Sequence, residues 1–395
     1  MKILLANKFF YPRGGDCIYT INLARLLEKK GHHVAVFAMD YADNISVESS
    51  HYFPSQVDFS QKKNILKSIT RPLGNNEVKL KFNRIIEDFG PDLVHLNNIH
   101  SQLSPVIAEI AYQKGIPVVW TLHDYKLLCP RYDCLRNGLT VCEDCFENKT
   151  HVLKYSCMKN SRIASLLAYL EALKWNRAKL ETYTDCFICP SNFMKEAMMK
   201  GGFSAEKLIV QHNFLDLAKC EFEPVDRENY ICYVGRLSHE KGVETLIKAA
   251  VKSGVELRIV GSGPMEAELK RMAQGKEIRF LGYKQWDEIK QIVARARFMV
   301  IPSQWYENNP LSVLESLALG TPVLGANIGG IPELINQDNG RLFESGNVND
   351  LSTKIDEMLS VKTWDCKIIA QLAKEQYSDS LYYELLMSIY NRFVK

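Results

Sequence analysis

Short β-branched runs alternate with amphipathic helical stretches along nearly the whole chain, and that alternation restricts it to parallel sheets covered by helices. Residues 2–7 read as a strand. Ile18, Ile21 and Leu26 then share one helix face, Gly31 stops that helix, and 34–38 form the next strand. Residues 92–96, 117–122, 186–189 and 208–211 continue the series, and a second series runs through 230–235, 256–260, 278–281, 298–301 and 322–325. Between the two, 213–229 has weak periodicity and mixed charge and reads as a linker. At 395 residues the chain exceeds one ordinary core, so two domains are expected, 1–212 and 213–376. The expected fold class is α/β, two Rossmann-like domains facing each other across a cleft.

Composition narrows the function classes. A content of 46% hydrophobic and 24% charged residues is that of a globular protein. No run of about 18 apolar residues occurs, and residues 1–7 lack the apolar core of a signal peptide, so a cytoplasmic enzyme is expected. The net charge of +3, without interleaved aromatics, is too small for a nucleic-acid binder. Basic residues concentrate in the first half, where Lys62, Lys63, Lys67, Arg71, Lys79, Lys81 and Arg84 interleave with Ile65, Leu66, Ile69 and Leu73. Such a surface can make peripheral contact with an anionic membrane, here the inner face of the cell membrane, although a solvated helix face has the same pattern.

The stretch Glu307-Asn308-Asn309-Pro310-Leu311-Ser312-Val313-Leu314-Glu315 sets two carboxylates around a strand-to-helix junction. Pro310 suits a first helical turn, Asn309 can cap it and Gly320 can end it. Glu307 then lies at the carboxyl end of a strand and Glu315 in the early turns of a helix, the edge where open α/β sheets bind ligands. Each carboxylate can accept hydrogen bonds from two neighbouring hydroxyls, on a sugar or on a ribose. A solvated helix with acidic residues near its start would look the same. Upstream, residues 236–242 join the strand at 230–235 to a helix with Val243, Leu246, Ile247 and Ala250 on one face. Arg236 at the strand end, Lys241 at the helix entry and the unpaired N–H groups of that helix together suit a diphosphate. A dehydrogenase would need Gly-x-Gly-x-x-Gly after a strand, which is missing.

With Gly320-Thr321-Pro322-Val323 and Gly329-Gly330-Ile331-Pro332-Glu333, these segments resemble the retaining GT-B glycosyltransferases of family 4 (glycosyl transferases group 1), in order along the chain to about residue 345. The resemblance implies that Arg236 and Lys241 hold the donor diphosphate, that Glu307 lies by the transferred sugar, and that Glu315 binds the nucleotide ribose. It implies a base-reading segment near Gly282 and Tyr283, and a final helix, within 377–395, that crosses back onto the first domain. Gly263 offers a close backbone approach, and the amides around Asn308, Asn309, Pro310 and Leu311 would face phosphate. In the first domain, Gly14 and Gly15 would lie over the donor phosphates and acceptor, and His123 would touch the transferred sugar. His95 is a guess on the acceptor side, and His239 could merely orient the phosphate loop.

The implied activity is a hexosyltransferase (EC 2.4) that moves a sugar, with retention, from a nucleoside-diphosphate sugar to a saccharide or polyprenyl-diphosphate-linked acceptor in cell-surface polysaccharide synthesis. The leaving phosphate oxygen would take the acceptor proton. Asp124 is the alternative nucleophile, but nothing in the sequence places it under the reacting carbon. No metal is expected for catalysis, since no Asp-x-Asp adjoins a strand end and Arg236, Lys241 and the helix ends supply positive charge. A GT-B nucleotide-sugar 2-epimerase would share the fold, but the Glu307/Glu315 pair speaks against it. A non-catalytic nucleotide-sugar-binding protein would be expected to have lost Arg236, Lys241 or Glu307.

The eleven cysteines, an odd number, do not suggest structural disulfides. Five cluster after His123, and Cys129, Cys142, Cys145 and Cys157, with Cys134 as a substitute, could hold a structural zinc. Cys186 and Cys189 sit within a strand and read as packing residues.

Overall fold

The structure, a computed structural model, describes residues 1–57, 69–361 and 364–394. Of the basic stretch singled out above, Lys62, Lys63, Ile65, Leu66 and Lys67 lie outside the described residues. The chain divides into two compact units, 1–137 with 142–212 and 382–395, and 138–141 with 213–381. The return to the first unit falls at Tyr382, inside the closing helix Asp379–Tyr390, rather than at 377. Tyr377 is still tied to the second unit, where its carbonyl accepts the Leu215 N–H at 2.9 Å, whereas the Tyr382 hydroxyl bonds that of Tyr19 in the first.

The first unit is built on β1 (Lys2–Ala6), α1 (Gly15–Lys29), β2 (His33–Phe37), α2 (Asn76–Phe89), β3 (Leu93–Leu96), β4 (Val118–Thr121), α3 (Arg162–Lys174), β5 (Cys186–Cys189) and β6 (Leu208–Val210). Its six strands are all parallel, in the order β2-β1-β3-β4-β5-β6. Strands β3, β4 and β5 are buried at every position, as continuous apolar runs covered on both faces must be. The Asn75 side chain caps α2 by accepting the Val78 N–H at 3.1 Å, and Gly90 ends it in left-handed backbone. Arg71 does not belong to a basic surface: its guanidinium is fully buried, donating to Ser55 O at 2.6 Å and pairing with Glu77 at 3.2 Å.

The second unit runs β7 (Tyr230–Val234), α4 (Val243–Ser253), β8 (Glu256–Val260), β9 (Ile278–Gly282), β10 (Met299–Ile301), α5 (Leu311–Ala318), β11 (Val323–Ala326) and β12 (Gly340–Phe343). Its parallel order is β9-β8-β7-β10-β11-β12, the doubly wound arrangement in which the chain reverses direction across the sheet between β7 and β10. Val243, Leu246, Ile247 and Ala250 of α4 are buried in one core with Ile231, Leu257, Ile259 and Val300. Strand β12 lies beyond the strand series read from the sequence; it pairs with β11 through Val323↔Gly340.

Candidate active site

In a doubly wound sheet the crevice opens at the carboxyl ends of the two strands flanking the reversal. In the second unit these are β7, followed by Arg236, and β10, followed by the loop to Glu307. Backbone knits the two loops: Gln304 N–H donates to Glu240 O at 2.8 Å. Gly242, at φ +66°, turns α4 away so tightly that a Cβ there would lie 1.9 Å from Pro302 O. This close approach sets Lys241 against Glu307, with Nζ 2.6 Å from Oε1. Ser303 Oγ donates to the same oxygen at 2.7 Å, and Lys241 Nζ also stands 4.9 Å from the centre of the Trp305 ring.

Burial alone would raise the Glu307 carboxyl, but Lys241, Trp305 and Ser303 outweigh it and hold it below its ordinary value. The Trp305 indole N–H is buried without a well-directed partner; it lowers the carboxylate through its positive hydrogen rather than through a formed hydrogen bond. Glu307 is thus a fixed anion whose Oε1 is already occupied by two donors. Its backbone is held too: Gly330 N–H donates to Glu307 O at 2.7 Å, over a Gly329 whose Cβ would lie 2.3 Å from that oxygen.

The Arg236 side chain is exposed and makes no ion pair or hydrogen bond among the described residues, while its carbonyl accepts the Tyr233 hydroxyl at 2.9 Å. Its guanidinium is therefore available to an anion. Glu315 is half-buried on α5, and burial, opposed only by Lys219, pushes its carboxyl up to about 7. Asn309 does not cap α5. Pro310 occupies the cap position, and Asn309 Oδ1 accepts the Asn213 N–H at 3.0 Å while its carbonyl accepts Asn213 Nδ2 at 2.8 Å. Its own Nδ2 is buried without a partner, a donor held at the loop before the helix. Asn308 is buried and Leu311 half-buried at the same turn, and Tyr283 is exposed after β9. Gly263 has a packing reason to be glycine, since a Cβ would lie 2.3 Å from Leu237 O.

In the first unit the reversal falls between β1 and β3. Asn7, buried at the end of β1, takes the Asn98 N–H on its Oδ1 at 2.9 Å and donates from Nδ2 to Phe9 O at 2.8 Å, joining the loops after both strands. His123 follows β4, with Nε2 3.0 Å from Asn97 Oδ1 and its ring edge-on to Tyr19. Burial pushes its pKa down to about 4, against the pull of Asp16, so it is a neutral hydrogen-bonding group at pH 7. Gly14 is the extended residue before α1, and a Cβ at Gly15 would meet nothing within 4 Å. Packing therefore does not demand glycine at Gly15. His95 is fully buried between the Tyr390 hydroxyl and Thr121 Oγ1, so the acceptor-side guess for it is withdrawn. Asp16, near His123, was not singled out; its Oδ2 is buried without a partner, and its place in the first helical turn after Gly14-Gly15 was the signal.

The cysteine cluster proposed for zinc can be described residue by residue. Among the described residues no group of three or more His, Cys, Asp or Glu side chains could hold a metal ion. Cys129 is engaged by the Cys134 thiol instead, a hydrogen bond that brings it down to about 7 against burial. Cys142 Sγ accepts from Arg136 at 3.7 Å, and all of the cluster cysteines are free.

The comparisons with known proteins name the class of protein in which this doubly wound fold carries its lysine–glutamate pair at the switch point. Residues 13–219 match the description Glycosyltransferase Family 4, and 219–376 match Glycosyl transferases group 1. The chain belongs to this family and is a glycosyltransferase. It is 28% identical over 361 residues, 85% of this chain and 87% of the other, to an uncharacterized 42.6 kDa protein in the cps region of Klebsiella pneumoniae. It is 25% identical over 210 residues, 49% of this chain and 52% of the other, to the putative colanic acid biosynthesis glycosyltransferase WcaL of Escherichia coli. The fold is that of Anabaena HepE in complex with UDP and glucose, with a TM-score of 0.70 and 20% identity over 99% of this chain and all of that one. These are GT-B folds.

Proposed function

We propose that this glycosyltransferase moves a hexosyl unit, with retention of anomeric configuration, from a nucleoside-diphosphate sugar to a saccharide carried on polyprenyl diphosphate, in the synthesis of a cell-surface polysaccharide. The observation that carries the reading is the Lys241–Glu307 pair at the β7/β10 reversal, beside an unpaired Arg236. Arg236 and Lys241 take the donor diphosphate, as fork and point charge, and stabilise the charge that grows on the leaving phosphate. Glu307 positions the transferred sugar. A carboxylate held below its ordinary pKa, with Oε1 bonded by Lys241 and Ser303, is a poor nucleophile and a poor base, which favours proton transfer to the departing phosphate oxygen over a covalent intermediate. Asp124 is partly engaged as well, its Oδ1 accepting the Lys126 N–H at 2.9 Å. His123, neutral, and Asp16, with its unpartnered oxygen, are the groups of the first unit suited to sugar hydroxyls. The cps-region and colanic acid relatives support the polysaccharide assignment, and the HepE complex supports a nucleotide-sugar donor.

The test is a thermal-shift screen against UDP, GDP, ADP and their sugars, followed by NMR of the product's anomeric proton with the donor that shifts. A product of inverted configuration overturns retention. The absence of any shift and any transfer overturns the donor reading.

Glu315 gives a second check. Two ribose hydroxyls donating to it favour its ionised form, so nucleoside diphosphate affinity should fall as pH drops below the carboxyl's value of about 7, by up to about tenfold per unit. The terminal phosphate of the free ligand titrates near about 6 and acts in the same direction, so the comparison is Glu315→Gln. That variant should bind more weakly in mild alkali and depend less on pH. Identical pH profiles for the two proteins would remove Glu315 from the donor site.

A further inference from the structure

Helix α3 (Arg162–Lys174) is apolar nearly all round, the composition of a buried helix, yet it lies at the surface of its unit. Its rotation is fixed by Ser165, Ala168 and Glu171, which are buried; Glu171 pairs with Lys126 at 2.9 Å, both side chains nearly enclosed. The opposite side presents Ile163, Leu166, Leu170 and Leu173, which are 75%, 46%, 40% and 47% exposed. At ~100° per residue these four fill an arc of about 80° along roughly 15 Å of helix, and Arg162 and Lys174 fall at the two edges of that arc.

Charge decides what covers such a stripe. Between residues 149 and 180 the sole carboxylate is Glu171, buried against Lys126, whereas Lys154, Lys159, Arg162, Lys174, Arg177 and Lys179 are all exposed. A second copy of the chain would set these cations against their equals. An anionic bilayer would satisfy both features, burying the leucines at the depth of the acyl boundary while the basic side chains extend to phosphate. We infer that the outer face of α3 docks the first unit on an anionic membrane surface. This surface is built from other residues than the basic stretch read in the sequence, and it stands independently of the donor reading, because docking and nucleotide binding are measured separately.

The experiment is flotation of the purified protein with vesicles of phosphatidylcholine alone or with added phosphatidylglycerol. The wild type should float with the phosphatidylglycerol vesicles and be released by salt. Leu166→Glu with Leu170→Glu should lower that partition by about tenfold or more, and Leu166→Ala with Leu170→Ala by less, since alanine keeps the helix without the apolar reach. Lys159→Gln with Arg162→Gln should weaken the preference for phosphatidylglycerol. All variants should melt with the wild type and keep its nucleotide-induced shift. Wild-type protein that ignores phosphatidylglycerol vesicles, or leucine variants that bind them equally well, would overturn the inference. So would a wild-type dimer that the glutamate variant splits on size exclusion, which would give the face to a second copy.

Discussion

Lys241→Ala should lose about a thousandfold or more in sugar transfer, while Glu307→Gln should lose transfer with much less effect on nucleoside diphosphate binding. The asymmetry follows from what each side chain does. In the proposed roles the ammonium serves the diphosphate as well as favouring the ionised form of Glu307, and the carboxylate serves the sugar alone. Without Lys241, the burial that already works to raise Glu307 has its main opponent removed, and the carboxyl's pKa rises. Folding stability should drop by about 2 kcal/mol, less than the roughly 3–5 kcal/mol of a fully enclosed pair, because the lysine side chain is 23% exposed. The pH dependence gives a sign to check. Glu307's folded pKa is depressed from 4.5, so its stabilising contribution is present above that value and is lost as pH falls through the lowered one. Lys241→Ala should therefore show less acid destabilisation than the wild type over that window. Measured by denaturant titration across pH and by steady-state transfer, wild-type activity in Lys241→Ala would remove the site assignment. Unchanged acid dependence would mean that the pair is not formed in solution.

The alternation of strand and helix, and the places of Arg236 and Glu307 after strands and of Lys241 at a helix entry, were legible in the sequence because burial on both faces leaves continuous apolar runs and loops carry the breaks. Which strands lie side by side was not. Periodicity reports that a face is buried, not what buries it, so the β9-β8-β7-β10-β11-β12 order and the resulting meeting of Lys241 with Glu307, 66 residues apart, came only with the structure. Asn309 was read as a helix cap from its position, and tertiary competition from Asn213 took its side chain instead. Spacing brought the cluster thiols near each other, but the Cys129–Cys134 contact and the Arg136 donor to Cys142 could be seen only in the fold. Strand β12 follows the turn of Asn336 to Asn339 and reads Gly-Arg-Leu-Phe, without the continuous apolar run that marks the other short strands. For Asp16 the sequence offers only its place in the first turn of α1; the buried, unpartnered oxygen is a product of the fold.

Gly329→Ala should abolish most transfer, whereas Gly346→Ala should leave it nearly intact, although both replace a glycine in left-handed backbone. The φ values are +60° and +80°, so both variants carry a similar backbone strain, about 1–2 kcal/mol. They differ in what the new methyl meets. At Gly346 the nearest atom is Gln304 Nε2 at 3.7 Å, an ordinary contact on a flexible side chain. At Gly329 it would lie 2.3 Å from Glu307 O and 2.8 Å from Glu307 N, both backbone, so one of the two segments must move. The Gly330 N–H bond to Glu307 O is on the same path and would be lost with the displacement. The carboxylate would leave the position that Lys241 and Ser303 define, and a shift of about 1 Å at a positioning group costs about a hundredfold in rate. Melting separates the local effect from global unfolding: the two variants should lose comparable stability from strain, with an additional few degrees for Gly329→Ala. Nucleotide-induced shifts should survive in both, since Arg236 and Lys241 stay in place. Equal activity in the two variants would show that the backbone under Glu307 can yield without consequence, and the carboxylate's placement would then not be what the reaction depends on.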